Sequence, residues 1–185
     1  MAYLVNYMHQ KNIFKVTSVT PQTIWSLEEV KNYLRIEADY DNTLITSLIE
    51  AAIIAAENFT KLAIISRMIE LTGNILNQPQ LQLKYAPVQS LEKVTIKIRE
   101  ETWQLQDQQY YVDKATAIFC LNEPLEYQEI VVNYMSGFDA QDIPPAIKHG
   151  ILLHVAEMYD RESSNNMAMS LEIKNLYLPY RQLRI

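Results

Sequence analysis

The chain has 185 residues, of which 49% are hydrophobic and 21% are charged, and its formal net charge is -6. This length and apolar content predict one hydrophobic core, or one core with an inserted subdomain, and exclude disorder over most of the chain. The longest uninterrupted apolar run, residues 51–56, is far shorter than the roughly 20 residues that span a bilayer. The first ten residues lack the basic start and apolar stretch of a signal peptide. We therefore expect a soluble protein that is not exported.

The charge distribution and the single cysteine give expectations about DNA binding and about the state of the thiol. Residues 1–20 and residues 171–185 each sum to +2, so the rest of the chain carries -10. An acidic body repels phosphate backbones and disfavours sequence-independent binding of DNA, whereas the basic ends can reach an acidic partner. The lone Cys120 lies in an apolar run, so we expect a buried structural thiol.

The N-terminal part of the chain combines an unpatterned segment with a short helix. Residues 1–25 show no sustained periodicity and predict an extended N-terminal arm. Ser26 and Glu29 have the spacing of a reciprocal capping box. Val30, Tyr33 and Leu34 then form one apolar stripe, which predicts a helix that ends near residue 36.

A long second helix is predicted from about residue 42 to Lys61, because apolar residues recur there at helical spacing. Asp39 and Asp41 precede this helix. We interpret them as candidate caps that interact favourably with the helix dipole. A metal site is the weaker interpretation, because capping and the helix dipole already account for both carboxylates.

The apolar period changes from 3.6 to 2 between residues 63 and 138. Short alternating runs are separated by turn residues, which predicts one antiparallel sheet of five or six short strands. The predicted fold class is therefore α+β. A small bundle of helices, formed by residues 26–62 and 144–178, carries the inserted antiparallel β-sheet of residues 63–138.

The C-terminal part is predicted to be helical again. Pro145 suits the first turn of a helix that runs to about Arg161. The centre of this helix is apolar around most of its circumference, so the sheet or another subunit should cover a second side. Ser170 is a candidate cap for a short helix that ends before Pro179.

The sequence offers no constellation with the spacing that catalysis requires. His149 and His154 are five residues apart, about 140° around a helix, so they cannot chelate a metal together as an i, i+4 pair would. The three glycines, at positions 73, 137 and 150, form no phosphate-binding loop. We expect no enzyme activity, no metal site and no cofactor.

Aromatic and basic residues at the two ends are typical of contact surfaces. In the C-terminal docking tail, residues 179–185, and the helix before it, we expect a binding site for a partner protein or a neighbouring subunit. Its apolar anchors would be Leu176, Tyr180 and Leu183, and its charged contacts would be Arg181 and Arg184. In the alternative, residues 176–178 fold back onto the late helix of the same subunit.

The order of these helix patterns resembles the head-to-tail connector (adaptor) family of long-tailed bacteriophages and prophages, some members of which are labelled DNA-packaging proteins. About a dozen residues before Phe14 and the long sheet segment depart from the pattern, and the chain is similar to the larger prophage branch. The resemblance rests on Leu27, Glu28, Glu29, Val30, Lys31, Leu34, Arg35, Leu44, Ile49, Glu50, Ala51, Ala52, Glu57, Thr60, Pro145, Ile147, Ile151, Leu152, Leu153, Tyr159, Arg161, Glu162, Leu176, Pro179, Tyr180 and Arg181.

The resemblance implies a structural virion protein. Its copies would form a closed homo-oligomeric ring, typically a dodecamer, beneath the portal protein. The ring would join the DNA-filled capsid to a downstream head-closure or tail protein at the head-tail junction, after assembly in the host cytoplasm. DNA would pass through the ring without tight intrinsic binding.

The competing interpretation is a DNA-packaging factor that binds nucleic acid, comparable in role to a small terminase subunit. The acidic body argues against it. The long helix also contains no Lys or Arg before Lys61, so a recognition helix with a basic face is missing.

Overall fold

The computed structural model describes residues 12–73, 80–123, 125, 129–160 and 169–182. The chain divides into two compact units. The sheet unit contains the N-terminal residues up to 19 together with residues 67–136, and the helical unit contains residues 20–66 and 137–185. The chain therefore passes between the units three times, at residues 19–20, 66–67 and 136–137.

In the part of the helical unit that the structure describes there are four α-helices: α1 at Leu27–Leu34, α2 at Asn42–Thr60, α3 at Pro145–Asp160 and α4 at Leu171–Tyr177. A 3₁₀ turn, Leu178–Tyr180, follows α4. α2 packs against α3 and also contacts α1 and α4, while α4 packs on α3. Among the described helices, α2 alone is long and apolar enough to cross a membrane by length and composition, and it buries Ile45, Ala52, Ala56 and Thr60 within the protein. The fully buried apolar side chains of the four described helices are Val30, Ile45, Ala52, Ala56, Ile147, Ile151, Val155, Ile173 and Tyr177.

The predicted capping box is confirmed at the start of α1. The Glu29 amide donates to the Ser26 hydroxyl, and the Glu29 carboxylate accepts from the Ser26 amide at 2.7 Å. The hydrogen bonds that this carboxylate accepts from the Ser26 amide and the Ser26 hydroxyl hold the pKa of Glu29 below its usual value. The box satisfies amides that have no partner within the helix.

The two aspartates predicted to cap α2 use their side chains for contacts with other helices. Asp41 occupies the N-cap position, but its side chain makes no capping hydrogen bond because the backbone, with φ -96° and ψ 4°, is not extended. Its carboxylate instead accepts a 2.7 Å hydrogen bond from the Tyr159 hydroxyl at the end of α3. Asp39 accepts from the Lys31 ammonium at 2.6 Å and from Asn42. The two aspartates thus join α2 to α3 and to α1.

Over its described residues, the sheet unit contains eight strands in two antiparallel sheets, rather than the single sheet that the sequence predicts. Local alternation marks strands, but the choice of partner depends on residues far apart in the chain, which is why the division was missed. The five-stranded sheet has the order β1-β2-β8-β4-β5, and the three-stranded sheet has the order β3-β7-β6. The bounds are β1 Ile13–Val19, β2 Arg67–Gly73, β3 Gln80–Gln82, β4 Val88–Ile98, β5 Glu101–Gln104, β6 Tyr110–Asp113, β7 Ile118–Leu121 and β8 Glu129–Ser136.

The core of this unit lies on one face of the five-stranded sheet, which we call its inner face. The Tyr134 hydroxyl on this face accepts from the Lys84 amide at 3.1 Å and donates to the Lys84 carbonyl at 3.0 Å, just beyond β3. The predicted burial of Cys120 is confirmed. The fully buried apolar residues in the described part of the unit are Ile69, Leu71, Leu83, Val94, Ala117, Phe119, Ile130, Val132 and Tyr134.

Residues 13–19 were assigned to an extended arm from the sequence, whereas the structure places them in the sheet as the edge strand β1. Thr17 is a β-bulge between Val16 and Ser18. A bulge shifts the side-chain alternation by one residue. The period-two pattern is therefore too short on either side of Thr17 to mark a strand.

The three passages between the units meet at Ser66, within the helical unit. The Ser66 carbonyl accepts from the Thr20 amide at 2.9 Å, and its hydroxyl donates to the Phe138 carbonyl at 2.8 Å. Gly137 has φ +124° and packs so closely that a Cβ would lie 2.7 Å from the Ser66 Cα. Only glycine fits this close approach without strain.

Candidate partner-binding site

Of the five residues predicted to bind a partner, the structure describes three. Leu176 and Tyr180 are half-buried, and Arg181 is exposed. Leu183 and Arg184 lie outside the described residues. The described part of the site therefore begins with Leu176, near the end of α4.

Helix α4 is held on its own subunit. The Ser170 hydroxyl accepts from the Ile173 amide and caps the helix as predicted. Tyr177 is fully buried, with its ring against Gly150 of α3 and 6.1 Å from the ring of Phe59. Burial raises the pKa of the Tyr177 hydroxyl above its usual value. At Tyr177 the structure thus matches the alternative in which the segment folds back onto the late helix.

The segment after α4 is also tied to its own subunit. The Arg181 guanidinium lies over the Phe59 ring, 5.1 Å from its centroid, and the Gln182 amide donates to the Thr60 carbonyl at 2.8 Å. A guanidinium stacked on an aromatic face is partly positioned before it meets a partner. Residues 181–182 therefore lie at the C-terminal end of α2, and from there the last three residues begin.

Two leucine side chains near this site are exposed to solvent. Leu178 is 56% exposed, and Leu171, at the other end of α4, is 72% exposed. From the sequence, Leu178 was assigned to the fold-back alternative, and Leu171 to the helix before the tail. Burial of Ile173 and Tyr177 leaves Leu171 on the outer side of α4, and Leu178 begins the 3₁₀ turn that follows. The helical period of α4 could have indicated the exposure of Leu171.

Residues that carry the family resemblance have structural roles in the helical unit. The Glu57 carboxylate accepts from the amides of Ile64 and Ile65 at 2.8 and 3.2 Å, which fixes the turn that leaves α2. The Thr60 hydroxyl donates to the Ala56 carbonyl inside the last turn of α2. These contacts position the end of α2, on which residues 181–182 rest.

Among the described residues, no group of three or more His, Cys, Asp or Glu side chains is arranged to hold a metal ion. The two histidines of α3 differ in exposure, since His149 is exposed and His154 is buried.

Comparisons with known proteins address both the fold and the family. The chain is similar to a protein in the neck of an empty gene transfer agent (GTA) particle, computed with C6 symmetry, with a TM-score of 0.75 at 19% identity over 94% of this chain and 97% of that one. A chain in the neck of the native GTA particle, computed with C12 symmetry, gives a TM-score of 0.73 at 20% identity over the same shares. At these identities the likeness establishes the fold. No curated protein matches the chain in sequence.

The family is established by sequence. The model of the phage gp6-like head-tail connector proteins matches residues 24–135, more than half of the chain. The matched range begins before α1 and ends at β8, so it includes parts of both units. The chain is therefore a member of the phage gp6-like head-tail connector family.

Proposed function

We propose that copies of this head-tail connector assemble into a closed ring beneath the portal and that this ring joins the capsid to the tail. The family match over residues 24–135 carries the proposal. The fold supports it, because 94% of the chain superimposes on proteins from particle necks computed with six-fold and twelve-fold symmetry. A closed ring also requires two different surfaces on each copy that fit one another.

The ring is tested by mass measurement and negative-stain imaging of the purified protein, alone and mixed with its portal protein. We expect closed rings of one copy number, at least in the presence of the portal. A protein that stays monomeric under both conditions, and does not bind the portal, would contradict the proposal.

We further propose that the C-terminal tail provides the contact with the portal or with an adjoining subunit. Leu176, Tyr180 and Leu183 would be its apolar anchors, and Arg181 and Arg184 its charged contacts. The stacking of Arg181 on Phe59 supports this role. Restricting a side chain before binding lowers the entropy lost when the complex forms.

Two truncations separate docking from folding. Removal of residues 183–185 leaves the Arg181 and Gln182 contacts in place, so we expect an unchanged midpoint of urea unfolding together with weaker binding to portal-bearing capsids. Removal of residues 180–185 also deletes those contacts and should lower the unfolding midpoint. Full capsid binding by the shorter truncation would place the docking site elsewhere.

A further inference from the structure

Both edges of the five-stranded sheet expose apolar side chains. On β1, Val16 is 43% exposed, and on β5, Trp103 is 55% exposed. Among the residues that the structure describes, no strand pairs with the outer side of either edge strand. Exposed strand edges with apolar side chains readily pair with another chain.

The register places these apolar residues on the same face. Val16 is opposite the buried Ile69, and Trp103 is opposite Ile96, which is 4% exposed. Residues directly opposite in a ladder point to the same side. Val16 and Trp103 therefore extend the inner face beyond the core, one at each edge.

The charges next to these residues have opposite signs. At the β1 edge, the Lys84 ammonium lies 4.5 Å from the centroid of the Phe14 ring. At the β5 edge, Glu101 is exposed and opposite Ile98, so it also lies on the inner face. The exposed Glu100 adds a second negative charge in the hairpin, and Arg99 offsets one of the two.

The regular parts of the two edge strands have equal length. The bulge at Thr17 ends the regular part of β1 after Ile13–Val16, and β5 consists of Glu101–Gln104. A bulge limits how far a neighbouring strand can pair along an edge. The β1 edge can therefore pair regularly along about four residues, which is the length of β5.

We propose that the β5 edge of one copy packs against the β1 edge of the next copy in the ring. Trp103 covers Val16 of the neighbouring copy, and Glu101 faces its Lys84. This inference rests on the proposed ring and names one of its lateral contacts. The two edges differ in sequence and complement each other in charge, as the head-to-tail contact of a cyclic assembly requires.

Charge reversal provides the first test. Lys84→Glu would place two carboxylates together, and we expect roughly tenfold weaker association per contact. Lys84→Glu combined with Glu101→Lys restores opposite charges at every contact and should recover most of the loss. Lys114→Glu, an equal charge change at an exposed turn, is the control and should assemble normally. Equal behaviour of Lys84→Glu and Lys114→Glu would overturn the contact.

Disulfide trapping provides the second test. In the double variant V16C/W103C, the two introduced thiols of one copy lie at opposite edges of the sheet, about four strand spacings or roughly 19 Å apart, and the native Cys120 is buried. A disulfide needs Cα atoms within about 7 Å, so only different copies can be bridged. Mild oxidation of imaged rings should give a ladder of multimers on a non-reducing gel. Each single variant is the control and should give no species larger than a dimer.

The outcomes distinguish this contact from the ring itself. If the wild-type protein forms no ring with its portal, the proposed function fails, and this contact fails with it. If rings form but V16C/W103C gives no ladder, only the edge contact is overturned. Coverage of β1 by residues 1–11 of the same chain would also overturn it. In that case, V16C in the monomer would react with a maleimide only after those residues are deleted.

Discussion

At the scale of single residues, the packing of α4 on α3 depends on the absence of a side chain at Gly150. A Cβ built at this position would overlap Cε1 of Tyr177 and lie 2.9 Å from its Cζ. Both residues are fully enclosed, so neither the ring nor the helix has free space into which to move. The close contact explains how so short a helix is fixed to the bundle.

Gly150→Ala should therefore destabilise the protein even though alanine favours helices. We expect the free energy of unfolding to decrease by about 1–3 kcal/mol, because overpacking forces the Tyr177 ring or the backbone to shift. Urea unfolding followed by circular dichroism measures the change. His149→Ala, at the neighbouring exposed position of α3, is the matched control. A Gly150→Ala protein as stable as wild type would show that the ring has room to move.

Removal of the phenolic hydroxyl should change the stability of the protein differently at two buried tyrosines. The Tyr177 hydroxyl is buried without a hydrogen-bond partner among the described residues, so Tyr177→Phe should be neutral or stabilising by up to about 1 kcal/mol. The Tyr134 hydroxyl makes two hydrogen bonds to the backbone of Lys84. Tyr134→Phe should destabilise by about 1–3 kcal/mol. Thermal unfolding of the two variants checks the contrast, and equal shifts would contradict it.

Residues in local motifs could be predicted, whereas residues whose role depends on distant partners could not. The capping residues Ser26 and Ser170 act within three residues of their own position, so spacing alone identified them. The contact of Gly150 with Tyr177 joins positions 27 residues apart. In the sequence Gly150 is only an isolated glycine in a helix, and nothing nearby indicates which side chain fills the space.

At the scale of elements, the start of α1 should be sensitive to acid. The Glu29 carboxylate is stabilised by hydrogen bonds from Ser26, which lower its pKa. A group whose pKa is lower in the folded state stabilises the protein above its unfolded pKa, and this contribution is lost as the pH falls through the folded pKa. The contribution of Glu29 is therefore present at neutral pH and absent in strong acid.

The measurement compares wild type with Glu29→Gln. The midpoint of urea unfolding should be higher for wild type at pH 7, and the difference should shrink as the pH falls below about 4.5, the usual pKa of the side chain. Glu28→Gln, in the same turn but outside the capping box, is the control. A difference that does not change with pH would show that the charge of Glu29 has no part in the cap.

Element boundaries were predicted well for helices and less well for strands. The predicted long helix, about 42 to 61, is observed at Asn42–Thr60, because an apolar face over five turns gives an unmistakable period. The strands were recognised as a class, but their grouping into two sheets was not. A run such as Ile118–Leu121, which is buried on both sides, has no polar face to show which sheet it joins.

At the scale of the whole molecule, the charge distribution predicts weak binding of DNA. The body of -10 between the basic ends offers no continuous basic face that could neutralise phosphates. In a gel-shift titration at low salt we expect no binding of duplex DNA below micromolar concentration. Salt-sensitive binding at submicromolar concentration would favour the packaging-factor interpretation over a connector.

The three passages that meet at Ser66 have a consequence for any attempt to separate the units. A protease that cuts once, at residues 19–20, 66–67 or 136–137, leaves the halves of the protein covalently linked through the two passages that remain. Excision of residues 67–136 as a fragment also removes β1, which would expose the edge of β2 that β1 covers. The sheet unit therefore cannot be moved into another protein as one continuous segment. A graft into another protein would need two segments and three junctions.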